Sequence, residues 1–151
     1  MKIRCSEFEN GSVIPARFSQ YEVNRSPPLD FIDVPPKAQS LALIMDDPDA
    51  PLGTFTHWVA FNIGADTPGF HENKIPKDVR LGRNDYGKPG YAGPRPPDGE
   101  HRYFFHAYAL DTRLDLPTGA TRAEVERAIK GHVVDEAELM GRYAPPPELL
   151  R

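Results

Sequence analysis

The chain is poor in cysteine: Cys5 stands alone among 151 residues. That excludes an internal disulfide framework and fits a reducing compartment. Long apolar runs are missing too, since no segment approaches the ~18 consecutive apolar residues of a membrane span. The opening Met1-Lys2-Ile3-Arg4-Cys5-Ser6-Glu7 lacks the apolar centre of a secretory signal. A soluble, cytoplasmic protein without membrane insertion is therefore expected. Basic charge is short as well. A formal net charge of −4 provides no general field to recruit nucleic acid or an anionic surface. No nucleic-acid partner is expected, and any bound phosphate has to be held locally. His-x-x-x-His, Cys-x-x-Cys, Gly-x-Ser-x-Gly, Walker and dinucleotide motifs are all lacking. Neither a metal nor a cofactor is expected from such a chain.

Proline and glycine are what the chain has in excess, seventeen and twelve residues respectively. That density excludes a helical bundle, because proline interrupts helix interiors and is tolerated in sheets only at edges and bulges. The prolines are spread among apolar runs rather than gathered in a low-complexity tract, so the chain is expected to fold. Its length suits a single domain, residues 1–151, with a real core. A β-rich domain with proline-fixed loops is what remains.

Three strands are clearest, at Ser40–Met45, His57–Ile63 and Arg102–Leu110, and Ser26-Pro27-Pro28-Leu29 forces an extended path before them. A long loop, Gly64 to Glu100, separates the last two strands; loops of this length inside a compact domain are often functional. Near the C-terminus the period changes. Thr121 with Glu124 forms a capping-box pattern. Val125, Ile129, His132 and Val133 then recur at helical spacing, predicting a helix over 122–134 with His132 on its apolar stripe. Beyond it Ala137, Leu139, Gly141 and Tyr143 alternate with Glu138, Met140 and Arg142, which reads as a closing strand in preference to a continued helix. Pro145-Pro146-Pro147 ends regular structure.

Two polar stretches interrupt this pattern. Asp47-Pro48-Asp49-Ala50-Pro51 ends an apolar run and is followed six residues later by His57. Gly93-Pro94-Arg95-Pro96-Pro97-Asp98-Gly99-Glu100 delivers a strand that begins His101-Arg102-Tyr103. Alternation puts His101 and Tyr103 on one face, with Arg102 and His106 on the other. If the two strands end at the same edge, Asp47, Asp49, His57, His101 and Tyr103 converge. Imidazole and phenol donors suit an anion, while the carboxylates orient the rings or receive a cationic group. The simpler reading of the aspartates is turn formation, and of His57 a strand-end histidine satisfied by backbone. A trans Ala50–Pro51 bond is expected from base rates.

These motifs, with Asn84-Asp85-Tyr86-Gly87-Lys88-Pro89-Gly90-Tyr91 and the segment from Gly131-His132-Val133 to Gly141-Arg142-Tyr143, resemble the phosphatidylethanolamine-binding protein family, and more narrowly its bacterial, Raf kinase inhibitor-like branch. The resemblance covers nearly the whole chain. It implies a mainly β fold, a Greek-key β-sandwich with a C-terminal α-helix. It also implies a small cavity at one end, with Asp47, Asp49, His57, Gly93, Pro96, His101 and Tyr103 in or beside it as ligand-binding residues and backbone donors near Gly93. Its ligand would be phosphate, acetate or a phosphorylated headgroup, its role regulatory and inhibitor-like, and homodimerisation is implied by the bacterial members. The protein partner is left open. One departure from animal members is the short stretch Leu52-Gly53-Thr54-Phe55-Thr56 between the acidic corner and His57, where those members carry a longer, aromatic-bearing segment. The alternative is an acid–base hydrolase that uses the aspartate, histidines and Tyr103; without an evident nucleophile it ranks second.

Overall fold

The structure, a computed structural model, describes residues 1–149. In chain order its elements are β1 (Lys2–Arg4), β2 (Leu29–Ile32), β3 (Ser40–Asp47), β4 (Phe55–Gly64), β5 (Gly69–Phe70), β6 (Arg80–Leu81), β7 (His101–Leu110), α1 (Arg122–Ile129) and β8 (Val133–Tyr143). The strands make two sheets, ordered β1-β2-β5 and β6-β4-β3-β7-β8. Every pairing between them is antiparallel. Among the described residues no helix is long and apolar enough to cross a membrane.

The apolar run of β3 is continuous because the strand is central and covered on both sides. Leu41, Leu43 and Met45 face a core that also takes Leu29, Phe31 and Phe70 from the smaller sheet, Trp58 from β4 and Phe105 from β7. Ala42 points the other way, into a second cluster in which Val59, Phe61 and Leu110 meet Val125 and Ile129 of α1. The strand thus buries both of its faces, which removes the polar half of the usual alternation.

The capping box forms as its spacing predicts: Thr121 accepts from the Glu124 backbone and the Glu124 carboxylate accepts from the Thr121 backbone. The helix is shorter than expected. It stops at Ile129 because Gly131 takes φ +84°, a left-handed conformation that ends the helix and turns the chain. His132 is therefore not on an apolar helix stripe. It lies beyond the helix, half exposed, with its Nδ1 2.7 Å from Asp111. Val133 opens β8, the closing strand, which pairs with β7 along its length. The loop over 64–100 carries two short strands, β5 and β6, and is held by backbone bonds such as Ala92 N–H to the His57 carbonyl and by side chains, with buried Asn84 accepting from the Tyr86 backbone and donating to the Gly90 carbonyl. All peptide bonds among the described residues are trans, Ala50–Pro51 included.

Candidate functional site

Two strand ends and one loop build the site. Asp47 closes β3, His101 opens β7, and the two strands are neighbours in the larger sheet. Odd-numbered positions of β3 and β7 share the inner face, so Asp47, His101 and Tyr103 look the same way.

His57 joins them by a less direct route. In the β3–β4 pairing Met45 opposes Trp58 and Asp46 opposes Thr56, so His57 is the extra residue of a bulge. Simple alternation from Trp58 would have sent His57 to the outer face. The bulge turns it to the inner one, a known use of this irregularity beside functional sites.

The result is a cavity of about 170 Å3 lined by Asp47, Ala50, Pro51, Phe55, His57, Tyr86, Arg95, Pro97 and His101. The two histidines hold their protons differently. Nδ1 of His57 donates to the Ala92 carbonyl at 2.8 Å, and its Nε2 has no hydrogen-bond partner among the described residues. Burial pushes the His57 pKa down, with the Ala92 carbonyl and the Asp47 and Asp85 charges offsetting only part. His57 is therefore neutral near pH 7 and presents Nε2 as an acceptor until it is protonated.

His101 lies between two carboxylates, with Nδ1 2.6 Å from Asp47 and Nε2 2.6 Å from Asp98. Burial opposes its protonation, but the two carboxylates outweigh it and the pKa is raised. With an acceptor at each nitrogen, both nitrogens donate and the ring is an imidazolium.

Tyr103 is fully buried below them, its ring 5.4 Å from that of His57 and edge-on to it. The hydroxyl lies beside Asp47 and the Arg95 backbone without making a well-formed hydrogen bond to the described residues. Burial first, then the Asp47 charge, pushes its pKa up, so it stays a neutral phenol. Phe55 and Tyr86 form the apolar rim, their rings 4.8 Å apart.

Besides Tyr103, which lies beneath the cavity without lining it, three of the expected residues stand elsewhere. Asp49 turns away from the cavity to Arg102, accepting from its Nε and NH2 groups at 2.9 and 2.8 Å, and this pairing holds its pKa at about 2. Its contribution to the cavity is indirect: its backbone N–H donates to Asp47 at 2.8 Å. Gly93 offers no free backbone donor, because its N–H is given to the Asn24 side chain at 2.7 Å. Its lack of a side chain allows the close approach of the Phe18 carbonyl. Pro96 is buried, and its carbonyl accepts from the Tyr21 hydroxyl at 2.6 Å; Arg95 and Pro97 on either side line the cavity instead. Sequence reasoning left Tyr86, Arg95 and Asp98 without roles, although all three lie in the segments that carried the resemblance.

Comparisons with known proteins agree in direction. A family model described as phosphatidylethanolamine-binding protein matches residues 4–144. A UPF0098 protein of Methanothermobacter thermautotrophicus is 49% identical over 148 residues, covering 95% of this chain and 98% of the relative. A crystal structure from Chlamydia trachomatis, described as a phosphatidylethanolamine-binding protein homolog, superposes with TM-score 0.93 at 39% identity, covering 96% of this chain and 97% of that one. Escherichia coli YbcL, described as a member of the mammalian PEBP family, gives TM-score 0.89 at 27% identity over 96% of this chain and 98% of its own.

Proposed function

The chain belongs to the phosphatidylethanolamine-binding protein family, and from that premise we propose that it is a ligand-binding protein whose cavity takes a small anion such as phosphate, acetate or a phosphorylated headgroup. The observation that carries this reading is the gathering of a charged imidazolium, a neutral imidazole and Arg95 around one small cavity, with a partnerless phenol buried beneath it. Arg95 is exposed and lines the cavity, and this reading assigns its charge to the ligand. The site residues in this reading are Asp47, His57, His101, Tyr103 and Arg95, with Asp49, Gly93 and Pro96 shaping the walls behind them. The Greek-key connectivity, one domain over the whole chain, a cytoplasmic setting and a regulatory, inhibitor-like role complete the proposal.

The charge states favour binding over catalysis. A hydrolase would need an aspartate-oriented histidine with a free second nitrogen to act as base. Here the histidine on Asp47 carries a proton on both nitrogens and has neither free to accept one as a base, and the histidine with an unprotonated nitrogen rests on a backbone carbonyl.

Calorimetry with phosphate, acetate and phosphoethanolamine tests the proposal. The expected result is measurable binding to the wild type and at least about tenfold weaker binding to His57→Ala, the loss of one charge-assisted hydrogen bond. Because His57 is neutral when the cavity is free, binding of a dianion should be accompanied by proton uptake. Heats measured in buffers of different ionisation enthalpy would reveal it. Equal silence of wild type and variant overturns the reading.

A further inference from the structure

We propose that Asp98 is an internal competitor for the cavity: its carboxylate occupies the His101 donor that an incoming anion requires, and ligand binding displaces it. This rests on the reading of the cavity as an anion site and names the residue that sets the affinity and selectivity of that site.

The two carboxylates on His101 are not equivalent. Asp47 sits on a central strand with its side chain 4% exposed, and it is tied down further by the Asp49 backbone N–H. Asp98 lies on the loop between Pro97 and Gly99 with its side chain 61% exposed. Among the described residues its carboxylate has no hydrogen-bond partner besides His101. Asp47 is thus part of the framework, while Asp98 is already hydrated and can swing into solvent at small desolvation cost.

The exchange is balanced in hydrogen bonds. His101 carries two N–H donors, and Asp47 keeps one throughout. The second passes from the Asp98 carboxylate to an oxygen of the ligand, so the imidazolium never loses an acceptor. The charged and titratable residues that line the cavity beside His101 are Arg95 and His57 on the attractive side and Asp47 on the repulsive one. With Asp98 in place, one positive imidazolium faces two negative carboxylates, and a further anion is repelled. With Asp98 withdrawn, the imidazolium and Asp47 balance in charge and that net repulsion is removed.

Tethering makes Asp98 an effective competitor. A carboxylate three residues from its acceptor is present at a high effective concentration, in the millimolar range or above for short flexible tethers. A free carboxylate such as acetate offers the same chemistry without the tether and gains little by exchange. A phosphate offers more oxygens and more charge, enough to engage Arg95 as well. The cavity should therefore select phosphate over acetate, and Asp98 should be the cause.

The test is a titration of wild type and Asp98→Asn with inorganic phosphate and with acetate, by calorimetry, after melting curves have shown that both proteins are folded. Expected are affinities about five- to tenfold higher in the variant, with the larger gain for acetate, so that selectivity for phosphate narrows. Carbon-13 spectra of the wild type should show the Asp98 carboxyl resonance moving to the position of a solvated carboxylate as phosphate is added. A wild type that binds phosphate together with a variant that binds it equally or more weakly overturns this inference alone. Silence of both proteins toward both ions removes the anion site itself, and the competitor with it.

Discussion

His57 and His101 occupy one cavity with opposite proton preferences, so the stability of the protein should fall on both sides of neutrality. The His101 pKa is raised in the fold above the ordinary imidazole value of about 6.5. Its contribution is therefore complete below that value and is lost as pH rises through the folded-state pKa. The His57 pKa is lowered from the same ordinary value. Its contribution is present above that value and is lost as pH falls through the folded-state pKa. Urea unfolding at successive pH values should show a maximum between these limbs. In His101→Gln the alkaline limb should flatten. The same variant should lose about 3 kcal/mol near neutral pH, because Asp47 is left buried without its cationic partner. An unchanged alkaline limb would mean that His101 is not charged in the native state. The identities of Asp47, His57, His101 and Tyr103 were readable from the motifs. The position of Asp49 was not, because a residue two steps past a strand end can turn to either face. Only the placement of Arg102 on the outer face decided it.

Elements position these residues by register. β3 and β7 pair without a slip from Ser40–Leu110 to Asp46–Phe104, which carries the alternation of β7 directly to His101. β4 does not keep step, and the extra residue at His57 is what brings the second imidazole inside. A bulge depends on how two strands meet, so no pattern within β4 alone announces it. The end of α1 teaches the same lesson at the other side of the molecule. The apolar spacing of Val125, Ile129, His132 and Val133 continues past the point where Gly131 turns the backbone, and a residue with positive φ overrides periodicity. The start of the helix is local and was fully legible. Thr121→Ala should therefore cost about 1 kcal/mol in urea unfolding, by removing the cap from the Glu124 backbone. Anion binding should not change, since α1 is absent from the cavity lining.

At the scale of the whole molecule the cavity depends on segments far apart in sequence. Gln20 and Asn24 hold Gly93 by its carbonyl and its N–H, and Ala92 in turn holds His57. A methyl group at Gly93 would run into the Phe18 carbonyl and the Asn24 side chain. Gly93→Ala should lower stability by about 2 kcal/mol through overpacking. It should weaken anion binding as well, because the Ala92 carbonyl moves with the strained segment; melting curves and calorimetry on one preparation would show both effects. If stability falls and binding does not, the 91–96 segment is structural only. What the sequence determined by itself was local or combinatorial: the mainly β composition set by proline and glycine, the three principal strands set by apolar runs, the capped helix start, and the motif residues Asp47, His57, His101 and Tyr103. What tertiary structure alone decided was which side chains spend their hydrogen bonds on one another. Gly93 gives its N–H to Asn24, Asp49 its carboxylate to Arg102, and Asp98 its carboxylate to His101. Asn24 and Asp49 lie 69 and 53 residues from their partners, and at such separations spacing carries no information about contact. Asp98 is only three residues from His101, yet an exposed loop carboxylate at that spacing can point into solvent as readily as onto the ring.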